Sequence, residues 1–352
     1  MLSRRVFAAA FGAGAWLAFG VGAACSESYA DGTTAADAAS EASATEDATG
    51  DESDAAVADT FVPPAPAFVE LATGLGALGG ISATDTTVYF TEPMSGAVRS
   101  VPIGGGPVST VASKTPSAPG PIVAAGGYLV WADTSAPLVS SRTDLGGPGA
   151  PVEIATSTKD HVALAASADR VVLLSTSSVS LESRLEQRPL NLSTSTSLTT
   201  VAGVFDVAVG GTTVYWTAPG QISRGAIGAT TDQVFAGGET GCESIAANAA
   251  GAYWTRPSDG LVRTQGSASL KAISLTTMEV SPSSIAVDDT DVYWLTGDGR
   301  LRRKTLGQEL PPATLATGFK SAFAGTHVKA IALTTSYVVW LTTDGRVLRI
   351  AK

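Results

Sequence analysis

The stretch Asp291–Arg303, DVYWLTGDGRLRR, decides the fold. A β-branched and aromatic run, Val292-Tyr293-Trp294-Leu295, reaches a Gly-Asp-Gly turn and continues into Arg300-Leu301-Arg302. Asp-Gly between two such runs is the composition that primed hairpin turns require. The question is whether this hairpin stands alone or is one copy of a repeat.

It repeats. Equivalent runs place an anchor at Phe90, Trp131, Leu174, Trp216, Trp254, Trp294 and Trp340, at spacings of 41, 43, 42, 38, 40 and 46 residues. Nine residues before each anchor stands Ile81, Ile122, Ala165, Val207, Ile245, Ile285 or Ile331. An ungapped offset kept seven times marks a repeat architecture. Each copy reads as four short strands. Strand a is a small apolar run such as Ser284-Ile285-Ala286-Val287, and strand b carries the anchor. A hairpin turn follows with Gly96, Gly220, Gly260, Gly299 or Gly345, then a Leu/Val/Ile-plus-Arg strand c and a short strand d such as Ala313–Ala316. The third copy is the weakest, with Leu174 where others have Trp and a Ser/Thr-rich second half.

Four strands in about 40 residues, repeated around a ring, predict a β-propeller. The fold expected is all-β: seven four-stranded antiparallel blades over residues 67–352. The VYWT strands resemble the YWTD-type propeller repeats of the low-density-lipoprotein receptor class, which implies the architecture and carries no activity with it. The last copy ends after strand c, whereas FVELATGLG at Phe68–Gly76 matches the strand d pattern ATLATGF at Ala313–Phe319. The N-terminal strand is therefore expected to complete the last blade and hide an edge that would template aggregation.

Residues 1–24 read as an export signal: Arg4 and Arg5, then the uncharged Val6–Ala24. Gly22-Ala23-Ala24 before Cys25 resembles a bacterial lipoprotein signal, which implies a lipid on Cys25 and a membrane anchor. Cleavage after Ala23 or Ala24 without lipid, or retention of the segment as an anchor, are the alternatives. Ser3-Arg4-Arg5-Val6-Phe7 also resembles the twin-arginine export motif, so the export route stays open. The expected address is the cell envelope, as an outer-membrane lipoprotein facing the periplasm or the exterior.

Residues 25–66 form a linker of Ala, Ser, Thr and acids. Ser26–Thr60 holds ten acidic residues and no Lys or Arg, too little apolar surface to fold and enough charge to stay extended. Val62-Pro63-Pro64-Ala65-Pro66 stiffens its end. This segment explains the formal charge of −10. Without Arg4, Arg5 and the ten linker acids, 20 basic and 22 acidic residues remain. A nearly neutral domain argues against nucleic-acid binding.

The catalytic inventory is thin. The chain has two histidines, His161 and His327, and two cysteines, Cys25 and Cys242, too few for a multi-His or Cys-rich metal site. No Gly-x-Ser-x-Gly elbow occurs, and Asp288-Asp289-Thr290-Asp291 lacks the spacing of a calcium loop. Cys242 reads as a buried, inert thiol. In an antiparallel blade the d–a and b–c loops share one face, here called the top. Asp206, Glu243, His327 and Lys329 are the candidate binding residues there, beside acids such as Glu92, Asp133, Asp298 and Asp344. No catalytic residue and no cofactor is assigned; Ca²⁺ held by converging carboxylates stays open. The expected role is a monomeric, non-enzymatic binding or scaffold module taking a protein or glycan partner at the top face. The alternative is a metal-assisted hydrolase, lyase or lactonase working at the same channel mouth.

Overall fold

The computed structural model describes residues 68–113, 118–134, 138–145, 150–157, 160–176, 182–190, 196–321, 323 and 328–352. The signal, the linker, Cys25 and His327 lie outside the described residues. The described residues form seven four-stranded sheets, each an antiparallel meander. Blade 6 is typical, with strands Ile285–Val287, Asp291–Leu295, Arg300–Thr305 and Ala313–Thr317 in that spatial order. The chain is a seven-bladed β-propeller. Among the described residues no helix is long and apolar enough to cross a membrane.

The nine-residue offset is a pairing register. Ile81 faces Phe90, Ile122 faces Trp131 and Val207 faces Trp216 across the a–b hairpin. Ile245, Ile285 and Ile331 face Trp254, Trp294 and Trp340 in the same way. Each anchor points at the preceding blade. Trp254 shares a buried cluster with Tyr215 and Ile222 of blade 4, and Trp294 one with Tyr253 and Val262 of blade 5. All four rings from Trp216 to Trp340 are fully buried. A ring of that size removes about 150–250 Å² from water, several kcal/mol at about 25 cal/mol per Å².

Blade 3 corrects the sequence reading. Leu164 pairs with Leu173, and Ala165 pairs with Val172, so the anchor's place belongs to Leu173. Leu173 packs with Val130 and Ala132 of blade 2, while Leu174 packs with Trp216 of blade 4. Successive strand residues face opposite ways, so a shift of one residue changes the neighbour. Two adjacent leucines carry no aromatic to fix which one is the wedge.

In blade 7, strands Ile331–Leu333, Tyr337–Leu341 and Val347–Ala351 are joined by Val69–Ala72 as the outer strand. Val69 faces Arg349 and Ala72 faces Val347. Leu75 N–H donates to Gly345 O at 3.1 Å, and Arg346 meets Glu70 at 2.8 Å. Thr335 donates through its backbone and hydroxyl to Asp85 at 2.7 and 2.9 Å, joining the a–b turns of blades 7 and 1.

The hairpin glycines have two reasons to be glycine. Gly299 and Gly345 sit at φ 76° and 75°. A Cβ on them would also lie 1.9 Å from Phe319 O and 2.0 Å from Leu75 O, where the next d–a loop crosses.

Candidate functional site

Asp206 is the last residue before strand a of blade 4. Its Oδ1 accepts from Val207 N–H at 2.8 Å. Its Oδ2 accepts from Ile245 N–H at 3.0 Å and from the Ser244 hydroxyl at 3.1 Å, both on blade 5. The same register, ten residues before the anchor, is used again. Ser244 Oγ accepts from Ile285 N–H of blade 6 at 3.4 Å, and Ser284 Oγ accepts from Ala330 N–H of blade 7 at 2.7 Å. These side chains stitch blade 4 to 5, 5 to 6 and 6 to 7.

Lys329 comes from blade 7 and reaches across the channel mouth. Its Nζ lies 3.3 Å from Ile245 O, 3.4 Å from Val207 O and 3.9 Å from Asp206 Oδ1. Glu243 stands beside them, its N–H bonded to Thr255 O at 3.2 Å. Together with Phe205, Ser244, Ser283, Ser284, Phe323 and Val328 these residues enclose a cavity of about 10 Å³, room for about one water. Below it runs a channel of about 360 Å³ walled by strand a of all seven blades. Among the described residues lining that channel, Lys329 alone is charged and the rest are Ala, Val, Ile, Leu and Ser82.

The structure thus brings Asp206, Glu243 and Lys329 to one place. Ser244 and Ser284 were missed by sequence reasoning. Their signal was their register, directly before the strand a partner of each anchor. Glu92, Asp298 and Asp344 are each engaged locally instead. Glu92 pairs with Arg99 at 2.7 Å, and Asp344 with Arg346 at 3.1 Å, within their own hairpins. Asp298 likewise pairs with Arg300. The Thr342 hydroxyl, with Arg346, holds the Asp344 carboxyl below the usual carboxylate range. Burial would raise Asp298, but the bonds from Arg300 and Thr296 outweigh it and hold that carboxyl low too.

Among the described residues the mouth offers little chemistry that is not already engaged. Asp206 already accepts three donors and faces an ammonium. Among the described residues no three His, Cys, Asp or Glu stand together as metal ligands. Ca²⁺ takes six to eight oxygen ligands, and among the described residues the donors needed beyond Asp206 and Glu243 are not gathered here. Cys242 is buried, its thiol 3.5 Å from Glu239 O. Burial, reinforced by the Glu239 carboxylate, pushes it up to about 12.

No protein-family model matches the chain, and no curated protein matches it. Solved propellers do. Virginiamycin B lyase from Staphylococcus aureus superposes with a TM-score of 0.62 at 11% identity, over 81% of this chain and 98% of that one. The WD40 propeller domain of Doa1 gives a TM-score of 0.62 at 12% identity, over 81% and 97%. YCF48, in a structure with D1 peptide bound, gives 0.61 at 12% identity, over 81% and 94%. At these identities the likeness is one of fold.

Proposed function

We propose that this chain is a cell-envelope lipoprotein whose propeller is a non-enzymatic binding or scaffold module. In this reading residues 1–24 are a signal, Cys25 carries lipid, residues 25–66 are a spacer, and residues 67–352 present the top face of a monomeric propeller to a protein or glycan partner. The repeats are grouped with the YWTD type on their VYWT strands. One observation carries the reading. Asp206, Ser244, Ser284 and Lys329 are committed to holding blades together at the channel mouth. The top-face loops around it are where the copies differ, and Phe205 and Met278 are exposed there. YCF48 with its bound peptide is support in kind for a protein partner on this fold. The test is capture from envelope extracts with wild type, Phe205→Asp and Met278→Asp. A partner held by wild type and lost from a variant is expected. Capture that neither variant alters would count against the top face.

Metal-assisted turnover at the mouth is the second reading. It is favoured by the lyase among the similar folds, a likeness of fold alone. Melting with Ca²⁺ or Zn²⁺ and with chelator decides it: a stabilisation saturating with metal supports turnover chemistry, and an unmoved melt removes it.

A further inference from the structure

Positive φ is almost the preserve of glycine in this chain. Among the described residues eighteen glycines take it up, and the two other residues that do so are Met278 at 64° and Ser281 at 44°. Both stand in one segment, the d–a loop of blade 5 that leads from Ile273–Thr276 to Ile285–Val287. Blade 4 carries the same loop forty residues earlier: Glu239 matches Glu279, and Ser244 matches Ser284. There Gly238 and Gly241 take the two left-handed positions, at φ 74° and 68°. Glycine satisfies this backbone, and a Cβ in its place is a cost. Met278 does nothing for the core, because its side chain is 89% exposed. Nor is methionine one of the residues that tolerate this conformation, as Asn and Asp do. The loop is nevertheless firmly held. Glu279 N–H donates to Gly260 O at 3.0 Å, and the Glu279 carboxylate, 6% exposed, meets Arg302 at 3.2 Å. Gly297 N–H of blade 6 donates to Val280 O at 2.8 Å, and a Cβ on Gly297 would stand 3.1 Å from the Ser281 Cβ. Glu279 turns inward, and Met278 and Val280 on either side of it turn out to solvent.

We propose that Met278 and Val280 form a preorganised contact for a protein partner, seated against an aromatic or aliphatic side chain of that partner. The proposal deepens the top-face reading and rests on it. Strained backbone persists where its surroundings fix it, and it gathers at sites that bind. A loop fixed in advance loses little freedom on association. The methionine side chain adapts to what it meets, and its thioether makes favourable contacts with aromatic rings. The charges alongside are already engaged: Asp259 with Arg256, Asp298 with Arg300 and Glu279 with Arg302. What the loop offers is therefore an apolar contact, not the hydrogen-bonded one that a glycan takes. It also belongs to one point of the ring, because blade 4 has Gly238 and Thr240 in the same two places.

The test places photo-methionine in the full chain, whose methionines are Met1, Met94 and Met278. Met94, 86% exposed in the b–c turn of blade 1, is the control on the same face. The chain is illuminated in envelope extract, and crosslinked peptides are assigned by mass spectrometry. One polypeptide joined through position 278 and not through 94 is expected. Once identified and purified, it should bind Met278→Gly about tenfold or more weakly than wild type, the loss of a contact at the centre of an interface. Met278→Gly and Ser281→Gly should each melt about 2 °C above wild type, and Gly238→Met about 2 °C below it, as strain is removed in one case and added in the other. A Met278→Gly chain that melts no higher, or that binds the partner as wild type does, overturns the proposal. So does an adduct with carbohydrate or with a second copy of this chain, an adduct shared equally by position 94, or none at 278. In each of these cases a partner lost from Phe205→Asp leaves the top-face reading standing. Capture that Phe205→Asp also leaves unaltered removes both.

Discussion

Trp254 and Trp294 occupy the same place in adjacent blades, and one difference between them should be measurable. Both rings are fully buried and both face an Ile across the same hairpin. Trp254 Nε1 donates to the Glu239 carboxylate at 3.0 Å, whereas Trp294 Nε1 has no hydrogen-bond partner. Glu239 is 3% exposed and also meets Arg263 at 3.2 Å and Arg256 at 3.6 Å. Replacing either Trp by Phe removes similar ring volume. Only Trp254→Phe also removes a donor from a buried carboxylate. A hydrogen bond to a charged group contributes about 1.5–3 kcal/mol. The two arginines remain and soften the loss, so Trp254→Phe should cost about 1.5 kcal/mol more than Trp294→Phe.

Urea unfolding at matched m-values, followed by far-UV circular dichroism, measures the difference. The corresponding gap in melting temperature is about 2–3 °C for a propeller of this size. Adding Glu239→Gln closes a double-mutant cycle. With the carboxylate neutralised, the excess cost of Trp254→Phe should shrink by about 1 kcal/mol. Equal costs for the two Phe variants, or a cycle whose coupling is nil, would refute the argument.

Gly299→Ala and Gly345→Ala should each destabilise by about 3 kcal/mol or more, because αL strain is joined by overlap with a crossing backbone. Gly220→Ala, at φ 75° with nothing within 4 Å of its Cβ, should lose only about 1–2 kcal/mol. Denaturant midpoints separate the two cases. Cys242, with its thiol pushed up to about 12, is protonated at pH 8 and should resist iodoacetamide until the chain is unfolded. Mass spectrometry of the alkylated chain reads this directly. Asp344 has a carboxyl held below its unfolded value of about 3.9, so its contribution is present above that pH and is lost as pH falls through the lower folded value. The stability gap between wild type and Asp344→Asn should therefore close on acidification, in unfolding curves taken from neutral pH downward.

Much of the ring was legible because burial repeats it. An anchor that must wedge between two sheets leaves an aromatic at a fixed distance from its cross-strand partner, and that distance survives changes in loop length. Where the aromatic is missing the reading slipped by one residue, since Leu173 and Leu174 are equally apolar and only the neighbouring blades distinguish them. Asp206, Glu243 and Lys329 were placed on one face from topology. Their contacts were not legible, because Lys329 meets residues 84 and 122 positions away. Such contacts exist only once the ring has closed. Ser244 and Ser284 carried the same register as Asp206, but a serine in a Ser-rich chain gives no signal on its own.

The polar groups at the mouth follow from the geometry of an inner strand. Strand a has a neighbour on one side only, so alternate residues turn both N–H and C=O toward the channel. Backbone groups in that position must find partners in side chains or water. Val207 and Ile245 show both halves of the requirement: their N–H groups go to Asp206, and their carbonyls go to Lys329. An acid and a lysine converging at a channel mouth look like a catalytic pair when read as isolated side chains. Here each satisfies backbone that the fold leaves open, and the pair would persist in a propeller that catalysed nothing. What distinguishes this chain lies in what the ring does not require, the top-face loops in which the copies differ.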